Sequence, residues 1–380
     1  MRLRNLRNCN AMPLSAKLLA LTCAIASCGA GTALAARGCG SEGGMGGTGR
    51  PAVTGQEQQT RPSPTPNGGM GGTGINAAAG VVGVVTGFAS ICVNGSEVSY
   101  RADTPVELNG RQAAARDLEL GQVVRVDADQ ISPNQYRASR IAVLESLIGP
   151  VTQVDAKRRM FWVMGQPVRP VPDAAVALSG DGLPTLKSSV RVSGLMNARG
   201  EVLATRIEGV SPKAPVYLMA NITQLDRRVV QLGWVRVELP AGAENKGLQL
   251  GQEVAVRGRW DGEGVIAEAY WIEPRLKFAN QPKRLSLEGY VLECDAPGRY
   301  ALNGLELSES AGAGQLAQHL GRRVVVQGEL TGRALKLDEL QPVPSEPPPE
   351  IDTRKPRDPR EPASDSAFEE LVHIRIHCGA

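Results

Sequence analysis

The stretch LELGQVVRV at residues 118–126 decides the fold of this chain, because it returns as LQLGQEVAV at residues 248–256. In both copies a leucine precedes a glycine turn, and a Val-x-Val alternation follows. That alternation has the two-residue period of a half-buried β-strand. Related stretches are LKSSVRV at residues 186–192 and LGRRVVV at residues 320–326. Their spacing of about 65–70 residues predicts an array of four copies of one module.

A second glycine marks each copy between two short alternating segments. These glycines are Gly95, Gly165, Gly233 and Gly304. Asn94-Gly95 and Asn303-Gly304 predict two-residue hairpins, because a type I′ turn needs positive φ at both positions. The sequence DGEG at residues 261–264 predicts another hairpin. The Leu-Gly pair of the first repeated stretch is kept in three copies, with Gly121, Gly251 and Gly321. In the second copy Lys187 replaces this LG glycine, which leaves the geometry of that turn open.

Five short strands per copy and the absence of a long helical pattern predict an all-β fold of tandem five-stranded antiparallel barrels, similar to the OB type. Closure into a barrel removes the sheet edges that a module of this size cannot leave open. The predicted segments are a signal peptide with lipobox (1–28), a Gly/Pro-rich disordered tether (29–79), β-module 1 (80–146), β-module 2 (147–211), β-module 3 (212–280), β-module 4 (281–342) and a Pro-rich, charged tail (343–380).

The recurring motifs GxVT…D, VNG, L…LGQxVxV and A…RI resemble the bacterial domain-of-unknown-function family numbered 5666. The resemblance covers about residues 80–342 in four copies and is weakest in the fourth, which has LTGRALKL at residues 330–337. Members of that family are typically exported, often with a lipobox and a Gly-rich tether, and often carry tandem copies. The resemblance therefore implies export, and it implies no activity and no catalytic residues.

The N-terminus is typical of an export signal. A basic segment that ends at Lys17 precedes an apolar run at residues 18–26. This run is too short to span a bilayer, which needs about 20 residues, but it suits a signal peptide. IASC at residues 25–28 resembles a lipobox and predicts lipidation of Cys28. The alternatives are cleavage after ALA at residues 33–35 and a cytoplasmic chain with an apolar N-terminal helix. We expect a protein of the periplasm or outer membrane, anchored in the membrane through Cys28.

Charge argues against a nucleic-acid partner. The formal net charge is +3, and residues 1–28 carry four basic residues and no acid, so the remaining chain is close to neutral. A neutral protein has no long-range field that attracts nucleic acid. The repeated GGMGGTG at residues 43–49 and 68–74 matches a dinucleotide fingerprint but lacks the required strand and helix. We predict a low-complexity linker there and no cofactor.

The sequence contains no nucleophile elbow, phosphate-binding loop, HExxH or CxxC motif, so we predict no enzyme, no catalytic residue and no metal site. His373 and His377 stand near Cys378, but on a strand the two histidines would be about 13 Å apart. His319 is expected on the surface of the fourth copy.

Two cysteines occupy non-equivalent positions in the copies. Cys92 lies on the second strand of copy one, and Cys294 ends the first strand of copy four. In an oxidising compartment these two cysteines could form a disulfide, which would link the first and last modules covalently. The alternative is that each is buried independently as a small apolar residue.

Aromatic residues give the best candidate for a ligand face. Trp234, Trp260 and Trp271 all fall in the third copy, although packing in the core or at its rim is the alternative. We predict a non-catalytic envelope protein whose modules bind a glycan or protein ligand, or act as spacers. The alternatives are a periplasmic enzyme with a site between modules and an OB-type nucleic-acid binder, which would stack bases on aromatic rings.

Overall fold

The computed structural model describes Cys39 and residues 77–344, except residues 89, 179–181, 244, 246, 273, 295 and 310–313. The predicted signal peptide, the lipidation of Cys28, and the tail with His373 and His377 lie outside the described residues. Within them the fold is nearly all-β, as predicted.

The strands fall into four successive groups, which we number as modules 1 to 4. Module 1 contains β1 (Ala77–Gly87), β2 (Ile91–Val93), β3 (Ser96–Ser99), β4 (Val106–Leu108), β5 (Arg111–Ala113), a 3-10 turn (Ala115–Asp117), β6 (Val123–Ser132) and β7 (Gln135–Val143). Module 2 contains β8 (Leu147–Asp155), β9 (Met160–Val163), β10 (Gln166–Ala177), β11 (Ser189–Met196) and β12 (Val202–Gly209). Module 3 contains β13 (Val216–Leu225), β14 (Val229–Leu232), β15 (Val235–Glu238), β16 (Glu253–Trp260) and β17 (Val265–Ile272). Module 4 contains β18 (Arg284–Tyr290), β19 (Leu292–Glu293), β20 (Tyr300–Leu302), β21 (Leu305–Ser308), α1 (Gln315–Gln318), β22 (Arg323–Thr331) and β23 (Ala334–Pro342).

Strand pairing closes these modules into five-stranded rings. In module 2 the ring runs β8–β9–β10–β12–β11 and returns to β8, with β10 and β12 parallel and the other pairs antiparallel. Modules 1 and 3 repeat this order, and the β4–β5 hairpin adds to β7 in module 1. In module 4 the first strand is interrupted at Val291 between β18 and β19. The pairings confirm the predicted OB-like barrel.

The repeated LG stretch is the turn that fixes the fourth strand of each module to its first strand. The backbone N–H at this position donates to a carbonyl of the first strand at 2.8–2.9 Å in every module: Gly121 to Val85, Lys187 to Val151, Gly251 to Ile222 and Gly321 to Val291. All four donors have positive φ, including Lys187 at +67°. Module 2 therefore keeps the turn geometry without the glycine, at a backbone cost that glycine avoids.

The second glycine marks the predicted hairpins, with one exception. Asn94-Gly95, Met164-Gly165 and Asn303-Gly304 have positive φ at both positions, as a type I′ turn requires. In module 3 only Gly233 has positive φ, so the glycine takes the first turn position and Trp234 the second. A Cβ on Gly233 would lie 2.5 Å from Oε1 of Gln166, which belongs to module 2. This turn also packs against the neighbouring module.

A bulge between the fourth and fifth strands recurs in all four modules and was not predicted from the sequence, and in module 1 Ala128 holds the position that glycine holds in the other three. Gly194, Gly258 and Gly328 lie at this bulge, where the strand register shifts. A Cβ on any of them would overlap a carbonyl oxygen of the fifth strand. The glycine allows the close backbone approach that bends the strand pair around the barrel.

The modules pack as two pairs. Modules 2 and 3 share one continuous apolar core, which includes Phe161, Leu218 and Leu232. The main apolar clusters of modules 1 and 4 are distinct, although Val82 of β1 packs in the cluster of module 4, and the two modules belong to one sheet because β1 pairs in parallel with β18. Smaller apolar clusters join the pairs, one around Val84, Leu195 and Tyr290 and one around Leu144, Tyr217 and Met219.

Candidate functional site: the buried joints between modules

Buried charged and polar side chains concentrate where modules meet, and we call these contacts the joints. The buried charged residues are Arg125, Asp127, Glu145, Glu253, Arg275 and Glu288. A buried charge is costly unless it is paired and hydrogen-bonded, so the partners of these residues define what the joints do.

The joint between modules 1 and 4 is built on Glu288. One of its carboxylate oxygens accepts the backbone N–H of Val84 at 2.8 Å, and the other accepts Nε of Arg323 at 2.8 Å. Asn94 crosses the same joint and donates from Nδ2 to the carbonyls of Val82 and Ser286 at 3.0 and 3.1 Å. The carboxylate thus satisfies a backbone donor of one module and a cation of the other.

Residues 274–280, which connect modules 3 and 4, run along module 1 and reinforce this joint. Asp127 of module 1 accepts the backbone N–H groups of Ala279 and Asn280 at 2.6 and 3.2 Å. Nδ2 of Asn280 donates to the carbonyl of Ala79 at 3.1 Å, and Arg125 donates to the carbonyl of Pro274. Module 1 therefore holds the connection at both of its ends.

A second buried group lies where modules 1, 2 and 3 meet. Oε2 of Glu145 accepts the hydroxyl of Ser193 at 2.5 Å, and its Oε1 lies 3.8 Å from Nε of Arg191. Burial raises the pKa of Glu145 from its ordinary 4.5 to about 7, against the opposing effects of Ser193 and Arg191.

Tyr217 lies at the same meeting point and is buried. Burial raises the pKa of Tyr217 well above its ordinary value, and the nearby Glu253 adds to the rise. Glu253 forms a buried ion pair with Arg275, which also donates to the carbonyl of Gly194 at 3.4 Å. The phenol therefore stays neutral at ordinary pH, which does not suit it to act as a base there.

The LG turn of module 1 forms the joint with module 2. The hydroxyl of Thr205 donates to the carbonyl of Gly121 at 2.6 Å. Arg206 donates to the carbonyl of Leu120 at 3.1 Å and pairs with Glu119. A Cβ on Gly121 would overlap the carbonyl oxygen of Thr205. The stretch that defines the repeat thus also serves as an intermodule contact in module 1.

The three predicted ligand-face tryptophans are distributed over different contacts. The backbone N–H of Trp234 donates to Oε1 of Gln166 at 3.2 Å, in the joint between modules 2 and 3. Trp260 packs against the core that these modules share, whereas Trp271 packs against the cluster with Leu144. The guanidinium of Arg257 lies 5.7 Å from the ring centre of Trp271. Trp260 and Trp271 therefore pack against separate apolar clusters.

The predicted disulfide between Cys92 and Cys294 is wrong. Cys92 is bonded to Cys39, with 5.4 Å between their Cα atoms. Cys294 is in a different disulfide. Cys39 falls in the segment that was predicted to be a tether, so it was not predicted to be a partner. The alternative of two independently buried thiols is also wrong, because both residues are oxidised.

No group of three or more His, Cys, Asp or Glu side chains with metal-binding geometry occurs in the described part of the chain. His319 is half-buried rather than fully exposed. Among the residues described, no helix has the length and apolar character that crossing a membrane requires.

Part of the chain matches the model of a known protein family. The model of a domain of unknown function, DUF5666, matches residues 79–142 and 148–208. The two DUF5666 matches coincide with modules 1 and 2, and this confirms the resemblance for those copies. None of the curated proteins matches the chain, and none of the solved structures does.

Glu145 and Glu288, the two main joint residues, were missed by the sequence analysis. Glu288 lies inside the apolar first strand of module 4, and Glu145 lies between two apolar segments, VL and LIG. A carboxylate within an apolar run predicts a buried charge with a specific partner. That signal was present, but it does not name the partner, because Val84 is 204 residues away from Glu288.

Proposed function

We propose that the chain is an exported, lipid-anchored envelope protein in which four DUF5666-like modules form a non-catalytic block that acts as a spacer or as a platform for a glycan or protein ligand. Modules 3 and 4 are included because they repeat the strand order and the LG turn of modules 1 and 2. The single observation that carries the proposal is the set of joints, in which buried charges are used to hold modules to each other.

The disulfides support the exported location. Cys39 and Cys92 are bonded, and Cys294 is also oxidised. Structural disulfides form and persist in the periplasm and outside the cell and are rare in the cytosol. The bond also ties the segment before module 1 to a buried strand of that module, so a pull on the anchor would be transmitted to β2.

The partners of the buried charges support a non-catalytic role. Glu288 is engaged by Arg323 and Val84, and Asp127 by two backbone N–H groups. A general acid or base must reach a substrate proton, and these carboxylates are buried inside contacts between modules. Their geometry suits them to fix the arrangement of the modules.

Fractionation of cells that express the native chain and the Cys28→Ala variant tests the location. We expect the native chain in the membrane fraction and the variant released in soluble form, with the Cys39–Cys92 bond present in both. A native chain found in the cytosol with reduced cysteines would overturn the proposal. Cys9→Ala is the matched control, because it changes a cysteine outside the lipobox and should leave the membrane fraction unchanged.

A further inference from the structure

The contact between modules 1 and 2 has two halves, and each half recurs elsewhere in the chain. One half is the LG turn of module 1, which presents the carbonyls of Leu120 and Gly121. The other half is Thr205 with Arg206, which we call a socket. Thr205 is the extra residue at the bulge between β11 and β12, and its hydroxyl donates to Gly121 at 2.6 Å. Arg206 donates to Leu120 at 3.1 Å.

Module 1 repeats the socket at Ser139-Arg140, and there it is open. Ser139 is the extra residue at the bulge between β6 and β7, as Thr205 is between β11 and β12. Both hydroxyls donate to a carbonyl of the fourth strand, Ser139 at 3.0 Å and Thr205 at 3.2 Å. Thr205 is 5% exposed beneath the docked turn, whereas Ser139 is exposed. The socket of module 1 therefore has the same construction without the turn on it.

The arginine of this open socket makes fewer contacts than its counterpart. Arg206 donates through Nε and through both terminal nitrogens. Arg140 donates through one terminal nitrogen to Glu107, and its buried Nε has no hydrogen-bond partner among the described residues. The side chain of Arg140 is 39% exposed, against 12% for Arg206. Arg140 can therefore bind a further acceptor, as Arg206 does.

Module 3 carries a turn that matches the open socket. Residues 248–252 read LQLGQ where module 1 has LELGQ. In both turns the residue before the exposed end donates its backbone N–H to the side chain of the following glutamine, at 2.8 Å in module 1 and 3.2 Å in module 3. The two glycines have φ of +82° and +77°. Leu250 at the tip of this turn is 53% exposed, so the turn is accessible.

The two carbonyls of this turn can accept the hydrogen bonds that the socket offers. The carbonyl of Gly251 accepts Nδ2 of Asn221 at 2.7 Å. A carbonyl oxygen has two lone pairs, so Gly251 can also accept a hydroxyl. Gln249 stands where module 1 has the glutamate that pairs with the socket arginine, and its amide oxygen is likewise an acceptor.

The remaining turns and bulges do not match in this way. The turn of module 2 has Lys187 in place of the glycine, and a Cβ at that position of the docked turn overlaps the socket backbone. In module 4 His319 replaces the acid that pairs with the socket arginine. The bulge residues of modules 3 and 4 are Glu268 and Asp338, and an ionised carboxylate cannot donate to a carbonyl.

We propose that the LG turn of module 3 docks on the Ser139-Arg140 socket of module 1 in a second copy of this chain. Ser139 donates its hydroxyl to the carbonyl of Gly251, and Arg140 donates to the carbonyl of Leu250. The two surfaces differ, so the contact is heterologous and joins copies head to tail. This association goes beyond the proposed function and does not depend on where the protein resides.

Sedimentation equilibrium of the purified full-length chain tests the association. One turn in one socket is a small contact, so we expect a Kd on the order of 100 µM. At about 300 µM the weight-average mass should then be at least about 1.5 times that of the monomer. Leu250→Arg, which places a second cation opposite Arg140, and Ser139→Trp, which fills the socket, should each restore the mass of the monomer.

Leu186→Arg is the matched control for these variants. Leu186 is 56% exposed in the turn of module 2, which has no matching glycine, so its replacement should leave the association unchanged. A native chain that remains a monomer at about 300 µM would overturn the proposal. Equal loss of association in Leu186→Arg and Leu250→Arg would overturn it as well, because the effect would not be specific to the turn of module 3.

Mixing the two defective variants tests the head-to-tail arrangement. The Leu250→Arg chain keeps its socket and the Ser139→Trp chain keeps its turn, so an equimolar mixture should form one-to-one pairs and no larger species. Such pairs would also show that both variants are folded. A mixture that stays monomeric, or that grows beyond two chains, would overturn the proposal. Neither result bears on membrane anchoring, so failure here is distinguishable from failure of the proposed function.

Discussion

Two joints hold their modules together by different interactions. One lies between modules 1 and 4, and the other lies between modules 2 and 3. Modules 2 and 3 share an apolar core, and their first strands pair at only two positions, Tyr217 with Ile148 and Leu218 with Leu147. Modules 1 and 4 have distinct main cores, to the second of which module 1 contributes Val82, and their first strands pair in parallel at four positions. Two buried polar side chains, Glu288 and Asn94, add hydrogen bonds to the joint between modules 1 and 4.

The two joints differ because the modules that they connect lie at different distances from each other in the sequence. Modules 2 and 3 are neighbours in sequence, so a short connection keeps them close and a non-directional apolar contact is sufficient. Modules 1 and 4 are separated by two other modules and must find each other among similar barrels. Hydrogen bonds to buried charges are directional and penalise a wrong partner, so they suit the distant joint.

The largest effect is expected from Glu288→Ala, which breaks the polar joint. The change leaves Arg323 and the Val84 N–H buried without their acceptor, and removing one partner of a buried ion pair costs about 3–5 kcal/mol. Urea unfolding of the variant measures the loss. Glu329→Gln, at an exposed position of β22, should change the free energy of unfolding by less than about 0.5 kcal/mol. Equal effects of the two changes would contradict the role of Glu288.

Leu218→Ala should be slightly less damaging and tests the apolar joint. Leu218 is fully buried in the shared core, and truncation of a buried leucine costs about 2–5 kcal/mol through lost burial and the cavity left behind. The same unfolding measurement applies. Leu250→Ala is the control, since Leu250 is 53% exposed and precedes the LG glycine of module 3. If both leucines respond alike, the shared core does not hold the modules.

Glu145→Gln should change how stability depends on pH. The pKa of Glu145 is raised from 4.5 to about 7, so its contribution to folding is fully present below pH 4.5 and is lost as the pH rises through 7. The native chain should lose on the order of 3 kcal/mol over that interval at this site, and the neutral glutamine should not. Free energies of unfolding at pH 5 and pH 8 measure this difference. Glu268→Gln, at an exposed position, should leave the pH dependence unchanged.

Gly121→Ala compared with Gly110→Ala separates docking from turn strain. The two glycines have similar φ values, +82° and +76°, so each substitution should cost about 1–2 kcal/mol in backbone strain. Gly121 also packs against Thr205, whereas Gly110 has nothing within 4 Å of its added Cβ. Overlap at the module 1–2 joint should add about 1–3 kcal/mol to the first variant, measured by thermal unfolding. If the two variants lose the same amount of stability, Gly121 does not contribute to the joint.

The smallest effect is expected from Arg257→Ala. Its guanidinium lies over the ring of Trp271, and such a contact contributes about 0.5–1 kcal/mol. Arg259→Ala on the same strand removes an exposed arginine and should have no measurable effect on urea unfolding. If Arg259→Ala lowers the free energy of unfolding as much as Arg257→Ala does, the effect comes from the lost charge and not from the contact with the ring.

The sequence predicted the barrels well and their arrangement poorly. Alternating valines and the LG and Asn-Gly turns are local signals, and they predicted the strands, whereas the sequence left the geometry of the turn at Lys187 open. The bulge glycines Gly194, Gly258 and Gly328 were also local, and they were overlooked inside strands. Contacts such as Glu288 with Val84 and Cys92 with Cys39 join distant residues, and no periodicity in the chain specifies such pairs.

Differential scanning calorimetry of the full-length chain tests most directly whether the joints unite the four modules. The joints predict one cooperative transition, in which the calorimetric enthalpy equals the van't Hoff enthalpy, and they predict that Glu288→Ala separates a transition of module 4 from it. Several independent transitions in the native chain, unchanged by Glu288→Ala, would show that the modules are independent units.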